Sequence, residues 1–134
     1  MNLLEVEGLC VDFGRRRAKA VREVTFALAE GERLGIIGES GSGKTVTALS
    51  VMGLLPETAH VRGSVRWRGE ELLGRSEKEL ARLRGNAMGM VFQEPMTALD
   101  PTMKLGRQVA EVLLLHRGSS RAEARPRVIT MLGE

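Results

Sequence analysis

The chain has 134 residues, of which 43% are hydrophobic and 28% charged, with a single cysteine and a formal net charge of +3 at pH 7. That length suits one domain with its own core and excludes two ordinary domains, while the lone Cys10 excludes an internal disulfide. No apolar run approaches the roughly 18–20 residues that span a bilayer, and the N-terminus lacks the pattern of a secretory signal, so we expect a soluble protein of a reducing compartment.

The first part of the chain predicts an antiparallel pair of strands. Residues 3–13 alternate apolar with acidic side chains, which indicates a strand with Gly8 as a bulge. A turn over residues 14–19 leads to a second alternating run, 21–28, which should pair with the first. The turn carries the densest basic run, Arg15-Arg16-Arg17-Ala18-Lys19. Aromatic stacking residues and a recognition helix are lacking, so we interpret it as a solvated loop with no nucleic-acid partner, leaving open only contact with a phosphate-bearing ligand.

The next stretch matches the phosphate-binding loop pattern G-x-x-x-x-G-K-[ST], with the sequence Gly38-Glu39-Ser40-Gly41-Ser42-Gly43-Lys44-Thr45. An apolar run over 33–37 precedes it and predicts a short buried strand of a parallel sheet. A helix is predicted from about Lys44, with Pro56 ending it. Glycines allow backbone N–H groups to turn towards a polyphosphate, and the helix N-terminus adds donors and a positive dipole end.

Two side chains of this loop have expected roles in binding a nucleoside triphosphate. Lys44 is expected to reach the β- and γ-phosphates, and the hydroxyl of Thr45 to ligate Mg²⁺. The alternative is a glycine-rich turn that merely joins a strand to a helix. The complete pattern and its strand–loop–helix context favour nucleotide binding.

The middle of the chain predicts a hairpin and a short helix. Residues 61–70 alternate apolar with basic side chains, which indicates an exposed-face strand or a hairpin. Ser76 and Glu79 have the spacing of a capping box for a helix that continues to about Leu83.

The last third predicts another strand and two helices. Residues 88–92 form a second short apolar run, which we interpret as a buried strand. Gln93 follows it, at the carboxyl end of the strand, where ligands bind in open α/β sheets. An apolar stripe predicts a helix over 105–115, and Ser120 is a candidate cap for a final helix that contains Pro126.

Combined with the phosphate loop, one segment carries a family resemblance: Phe92-Gln93-Glu94-Pro95-Met96-Thr97-Ala98-Leu99-Asp100-Pro101. It resembles the Q-loop of ATP-binding subunits of ABC transporters, in the oligopeptide/dipeptide/nickel branch. The wording of residues 38–45 is also similar to that branch, although Ser is commoner than Thr at the last position. Residues 116–124 look like the start of its helical subdomain. The resemblance covers the chain from Leu4 to about Leu132.

The resemblance implies an α/β fold of the P-loop NTPase, ABC ATPase type. Its parts would be an N-terminal antiparallel β subdomain, part of a parallel core and the start of a helical subdomain. Residues 1–134 would form a truncated nucleotide-binding domain, with the β subdomain and core through the Q-loop in 1–100 and the helical start in 101–134.

The resemblance also implies roles for individual residues. Phe13 falls where the family places the aromatic residue that stacks on adenine, and a core or strand-end phenylalanine is the open alternative. Gln93 matches the glutamine that contacts Mg²⁺ or the attacking water, the alternative being a buried structural glutamine. The predicted catalytic pair is Lys44 and Gln93, and the predicted Mg²⁺ ligands are Thr45 and Gln93. The predicted nucleotide-binding set is Phe13, Gly38, Glu39, Ser40, Gly41, Ser42, Gly43, Lys44, Thr45 and Val46.

Several family parts do not occur in the sequence. They are the Leu-Ser-Gly-Gly-Gln signature, a second acidic strand followed by a catalytic Glu, and a switch His, a role for which neither His60 nor His116 is suitably placed. Phosphoryl transfer on this scaffold needs the Asp of that second strand as a metal anchor and the Glu that orients water. We therefore expect weak ATP binding, with negligible hydrolysis by this chain alone.

The function that the resemblance implies is ATP-dependent import of peptides or related small solutes. Its partners would be transmembrane permease subunits and a second ATP-binding subunit, which would hold the protein peripherally at the cytoplasmic face of the cell membrane. One alternative is a truncated, non-transporting fragment. Another is a different phosphate-loop enzyme, such as a kinase or GTPase, which the Q-loop segment and the lack of an Asn-Lys-x-Asp sequence disfavour.

Overall fold

The computed structural model describes residues 1–133, except for the side chain of Pro95. The chain divides into two compact units, Met1–Leu80 and Ala81–Glu134. None of the helices in the described residues combines the length and apolar character that crossing a membrane requires.

The first unit is built on a four-stranded antiparallel sheet in the order β2-β1-β3-β4. Its strands are β1 (Asn2–Phe13), β2 (Ala18–Ala29), β3 (Ala59–Trp67) and β4 (Glu70–Glu71). The predicted antiparallel pair is confirmed as β1 and β2. The alternating stretch after residue 60 forms the β3–β4 hairpin.

Gly8 is the bulge that the sequence predicts. Its φ is +54°, and the register of β1 shifts at this point against both of its neighbours. Before the bulge, Leu4 and Val6 are buried, and after it Leu9 and Val11 are buried. The extra residue moves the alternation by one position, so all four side chains point to the same face.

That face is the core of the first unit. Val6, Leu9 and Val11 are fully buried, and Val65 of β3 joins them. Burying one such side chain stabilises a fold by about 1.5–3 kcal/mol. Strand β1 is therefore the centre of the unit, since it is paired on both edges and contributes most of the fully buried side chains.

The opposite face of the sheet carries ion pairs. Arg62 of β3 bonds to Asp12 at 3.2 Å. Arg66 bonds to Glu5 at 3.2 Å and to Glu7 at 2.8 Å. Opposite charges on neighbouring strands attract each other, so these pairs stabilise the same β1–β3 register that buries the apolar side chains on the other face.

Helix α1 (Lys44–Met52) follows the phosphate loop, as predicted, but Pro56 does not end it. It ends at Gly53, whose φ of +62° is left-handed. The N–H of Gly53 donates to Ser50 O at 3.1 Å, and the N–H of Leu54 donates to Leu49 O at 2.9 Å. These bonds satisfy carbonyl groups of the last turn before the proline is reached.

The predicted capping box at Ser76 forms, and Ser120, the candidate cap of the last helix, also forms one. At α2 (Glu77–Leu83), the N–H of Ser76 donates to Glu79 Oε2 at 2.9 Å, and the N–H of Glu79 donates to Ser76 Oγ at 3.4 Å. At α5 (Arg121–Gly133), the N–H of Ser120 donates to Glu123 Oε2 at 2.7 Å, and the N–H of Glu123 donates to Ser120 Oγ at 3.2 Å. Each box pairs two backbone donors that the helix itself leaves free.

The second unit contains α3 (Pro95–Ala98), α4 (Leu105–His116) and α5. The last two confirm the helices predicted over 105–115 and after Ser120, and Pro126 lies inside α5 as expected. The predicted division of the family domain near residue 100 stays a prediction.

Two predicted strands are wrong. Residues 33–37 are irregular, with Ile37 98% exposed, and residues 89–92 are irregular, with Val91 97% exposed. Near the second segment there is only an isolated parallel bridge between Arg84 and Met88. A strand exists through its ladder partners, and in residues 1–133 strands β1–β4 pair only with one another. The parallel part of the expected α/β core is therefore not formed in the described residues.

Candidate phosphate-binding site

The loop over residues 38–45 joins the irregular segment to α1 through backbone conformations that favour glycine. Gly41 has a φ of +80° and Gly43 a φ of +95°. The N–H of Ser42 donates to Glu39 O at 3.1 Å, which closes a turn within the loop. Glycine adopts these positive φ values without the steric cost of a side chain.

Gly43 also packs against the sheet. A Cβ at this position would lie 2.6 Å from the carbonyl oxygen of Ala20 and 3.2 Å from a methyl group of Val21. Only a residue without a side chain permits that approach. The contact fixes the end of the loop, and the start of α1, against strand β2 within the first unit.

The start of α1 offers backbone donors to an anion. In the part of the chain that the structure describes, the N–H groups of Gly43, Lys44 and Thr45 donate to no protein acceptor. The N-cap, Gly43, provides no side-chain cap, and the first turn contains no acidic residue. Free N–H groups and the positive end of the helix dipole together form an anion-binding position.

The ammonium group of Lys44 lies over the loop. Its Nζ donates to Gly38 O at 2.5 Å, to Glu39 O at 2.7 Å and to Ser42 Oγ at 3.2 Å. These three acceptors hold the positive charge at the loop. Backbone donors and an ammonium group thus converge on one small region, which is the electrostatic requirement for holding a polyphosphate.

Because Gly38 has no side chain, the side chains of Ser42 and Lys44 can lie close to its backbone. A Cβ there would lie 2.4 Å from Ser42 Oγ and 3.7 Å from Lys44 Nζ. The loop is therefore a cradle that a side chain at residue 38 would fill. The glycines, the free N–H groups and Lys44 together fit the phosphates of a nucleotide.

Phe13 lies at the same end of the sheet as the loop. It ends β1, is half-buried, and pairs with Ala18 of β2. Ala20, two residues further along β2, is the residue that touches Gly43. Adenine stacking and a plain strand-end phenylalanine both remain compatible with this position.

The two expected metal ligands lie in different units. Thr45 is exposed on the first turn of α1, and Gln93 is exposed in the second unit, just before α3. The alternative of a buried structural glutamine at position 93 is therefore wrong. Residues 1–133 contain no group of three or more His, Cys, Asp and Glu side chains able to hold a metal ion. Hydroxyl and amide oxygens such as those of Thr45 and Gln93 are suitable hard donors for Mg²⁺ that is also bound by phosphates.

Two contacts that organise the molecule have no signal in the sequence. One is the approach of Gly43 to Ala20 O, which depends on how α1 packs on β2. The other is the bonding of Gln108 to Asp100 and Met103, which connects residues of a loop to α4. A motif shows which residues follow one another along the chain, but both of these contacts depend on the packing of separate elements.

Comparison with known proteins decides the family. The family described as ABC transporter matches residues 21–132. The chain belongs to the ABC transporter family. The expectation drawn from the phosphate loop and the Q-loop segment is thus confirmed at the level of the family.

Individual relatives within the family are peptide transport proteins by name. The chain is 47% identical over 132 residues to the oligopeptide transport ATP-binding protein OppD of Salmonella typhimurium. It is 45% identical over 134 residues to the dipeptide transport ATP-binding protein DppD of Lactococcus lactis, and 46% identical over 132 residues to OppD of Escherichia coli. Each match covers 97% of this chain but only 39%, 38% and 39% of the respective relatives. The chain thus spans less than two-fifths of their length.

Proposed function

We propose that this chain is the ATP-binding part of an ABC importer that couples ATP binding and hydrolysis to uptake of peptides or related small solutes. The observation that carries the proposal is the loop in which Lys44 Nζ bonds to the carbonyls of Gly38 and Glu39, beside the free N–H groups at the start of α1. The relatives named as oligopeptide and dipeptide transport proteins support the choice of substrate class.

The proposed roles of the residues follow from their donors. Residues Gly38–Val46 hold the phosphates through their backbone N–H groups and the side chain of Lys44. The ring of Phe13 stacks on adenine. The hydroxyl of Thr45 and the amide oxygen of Gln93 hold Mg²⁺, which neutralises phosphate charge when it is bound. Lys44 stabilises charge on the transferred phosphate, and Gln93 contacts Mg²⁺ or the attacking water.

The assembly is also part of the proposal. Transmembrane permease subunits and a second ATP-binding subunit are the partners, and they hold the protein at the cytoplasmic face of the membrane. In the proposed division of the family domain, residues 1–100 correspond to the β subdomain and the core through the Q-loop, and residues 101–134 correspond to the start of the helical subdomain. We expect negligible ATP hydrolysis by these residues alone, because the signature, the second acidic strand and the switch His do not occur in their sequence.

Titration with a fluorescent ATP analogue and Mg²⁺ tests the proposal. Lys44→Ala is expected to weaken binding about tenfold or more, because it removes a charge-assisted bond to phosphate. Lys78→Ala is the matched control, since Lys78 is exposed on α2 and lies outside the loop. Saturable binding whose affinity falls only in Lys44→Ala supports the proposal, and equal affinities in the two variants contradict it.

Two further measurements separate the alternatives. Competition by ATP but not by GTP supports the ABC-type site, whereas equal competition supports another phosphate-loop enzyme. Phosphate release by the chain alone is expected to stay at background. Turnover that disappears in Lys44→Ala would contradict the expectation of negligible hydrolysis.

A further inference from the structure

The turn between β1 and β2, together with the first residues of β2, is a concentrated and unpaired positive surface, which we name the basic turn. It comprises Arg15, Arg16, Arg17 and Lys19, and all four side chains are exposed. Within residues 1–133, none of the four forms an ion pair or a side-chain hydrogen bond. Other arginines of the first unit, such as Arg62 and Arg66, are paired with carboxylates. The charge of the basic turn is therefore not neutralised within the protein.

The basic turn lies beside the phosphate loop. A Cβ at Gly43 would lie 2.6 Å from the carbonyl oxygen of Ala20, so β2 approaches the loop closely at this residue. Lys19 is the residue before Ala20. Arg17 lies three residues from Ala20, a separation of at most about 11 Å along the chain. The Debye length at 0.1 M salt is about 10 Å, so these charges act on an anion at the loop with only partial screening.

We infer that the basic turn is an electrostatic guide, which attracts the polyphosphate of a nucleotide and speeds its binding to the loop. The inference rests on the proposed function, because it takes the loop to be the nucleotide site. Clustered charges of one sign raise the association rate of an oppositely charged ligand, and salt suppresses the effect. The guide favours ligands with more phosphates, because its attraction scales with their negative charge.

A matched control residue lies at the other end of the sheet. Arg68 is exposed like Arg17, and the two share a left-handed backbone, with φ values of +49° and +51°. The N–H of Arg68 donates to Leu3 O at 2.8 Å, near the start of β1. Phe13 is ten residues further along that strand, a distance of about 33 Å at 3.3 Å per residue. Arg17→Glu and Arg68→Glu therefore change the net charge equally at opposite ends of one sheet.

Stopped-flow mixing of the chain with a fluorescent ATP analogue tests the guide. Arg17→Glu is expected to slow association about three- to tenfold at low salt, with the dissociation rate unchanged. The difference should shrink towards the wild-type rate as salt rises to about 200 mM. Arg17→Gln should give an intermediate rate, and Arg68→Glu a rate within about twofold of wild type.

The outcomes separate this inference from the function on which it rests. A wild-type chain that does not bind nucleotide overturns both. Binding by the wild-type chain with the same association rate in Arg17→Glu overturns the guide alone. The guide is also overturned if Arg17→Glu slows association by a factor that salt does not reduce, or if Arg68→Glu slows association equally.

Discussion

Gln108 holds both backbone polar groups of Asp100. The N–H of Asp100 donates to Gln108 Oε1 at 2.9 Å, and Gln108 Nε2 donates to Asp100 O at 2.8 Å. The same Nε2 donates to Met103 O at 2.9 Å. The side chain and the N–H of Thr102 both donate to the carboxylate of Asp100, which lowers its pKa. The first turn of α4 is thereby tied to the loop between α3 and α4.

Replacing Gln108 by methionine should release this loop. Gln108→Met keeps a side chain of similar length but removes three hydrogen bonds, so we expect the second unit to lose about 1–2 kcal/mol of stability. The N–H of Asp100 should exchange with deuterium faster, as measured by mass spectrometry. Glu111→Gln, an exposed change on the same helix, is the control. Unchanged exchange at Asp100 in Gln108→Met would show that the amide does not hold the loop.

Gly38→Ala should weaken nucleotide binding. The added methyl group meets Ser42 Oγ at 2.4 Å, so Ser42 must move and its bond to Lys44 is lost. We expect about a tenfold loss of affinity for ATP, measured by titration with the fluorescent analogue. Gly35→Ala is the control, because a Cβ at Gly35 has nothing within 4 Å. Equal affinities in the two variants would argue against the cradle.

Gly43→Ala should destabilise the first unit more than Gly41→Ala. Both residues have a positive φ, so both changes carry the left-handed backbone penalty of about 1–2 kcal/mol. Only at Gly43 does the methyl group meet a backbone atom, at 2.6 Å from Ala20 O. We expect an additional loss of about 1–3 kcal/mol in Gly43→Ala, the usual cost of overpacking.

Urea unfolding followed by Trp67 measures the difference, because Trp67 is the sole tryptophan and lies in β3. A variant Gly41→Ala as unstable as Gly43→Ala would mean that backbone strain, and not contact with β2, makes glycine necessary at residue 43.

Glu71 should make stability depend on acid pH. Burial by itself raises the pKa of its carboxyl group, but hydrogen bonds outweigh it, and the pKa lies below the usual value of 4.5. The donors are Ser64 Oγ at 2.5 Å and the N–H groups of Val65 and Leu73, both at 3.0 Å. Because the folded-state pKa is lowered, the stabilisation is complete above pH 4.5 and is lost as the pH falls through the folded-state value.

The free energy of unfolding of the wild-type chain should therefore decrease below about pH 4.5, and Glu71→Gln should flatten part of that decrease. Urea titrations of Trp67 fluorescence from neutral to acid pH measure it. Glu57→Gln is the control, as Glu57 is exposed in the same unit. If both variants keep the full wild-type pH dependence, Glu71 does not contribute to it.

Much of the local structure follows from the sequence because its causes are local. The bulge at Gly8, the capping boxes at Ser76 and Ser120, and the turn between β1 and β2 each depend on a few neighbouring residues. The glycine positions of the phosphate loop also follow from a motif. Even so, the sequence prediction that Pro56 ends α1 is wrong, because Gly53 takes a left-handed conformation before Pro56 is reached.

The two wrong strands show where local reasoning fails. Residues 33–37 and 88–92 have the apolar composition of buried strands, yet Ile37 and Val91 are almost fully exposed. A buried strand needs ladder partners on its edges and elements that cover its faces, and composition reports neither. An apolar run indicates that a segment tends to form a strand, but whether it joins a sheet depends on other segments that pair with it and cover it.

By itself, the sequence predicted the family resemblance, the phosphate loop and the positions of helices α1, α2, α4 and α5, because motifs and caps act within a few residues. Tertiary structure alone decided that Gly43 contacts Ala20 O, that Gln108 binds Asp100, and that the basic turn lies beside the loop. These relationships depend on strand register and helix packing, which bring residues together across the sheet or from a helix to a loop. The physical reason is that hydrogen bonds and steric contacts act over a few ångströms in space, whatever the separation along the chain.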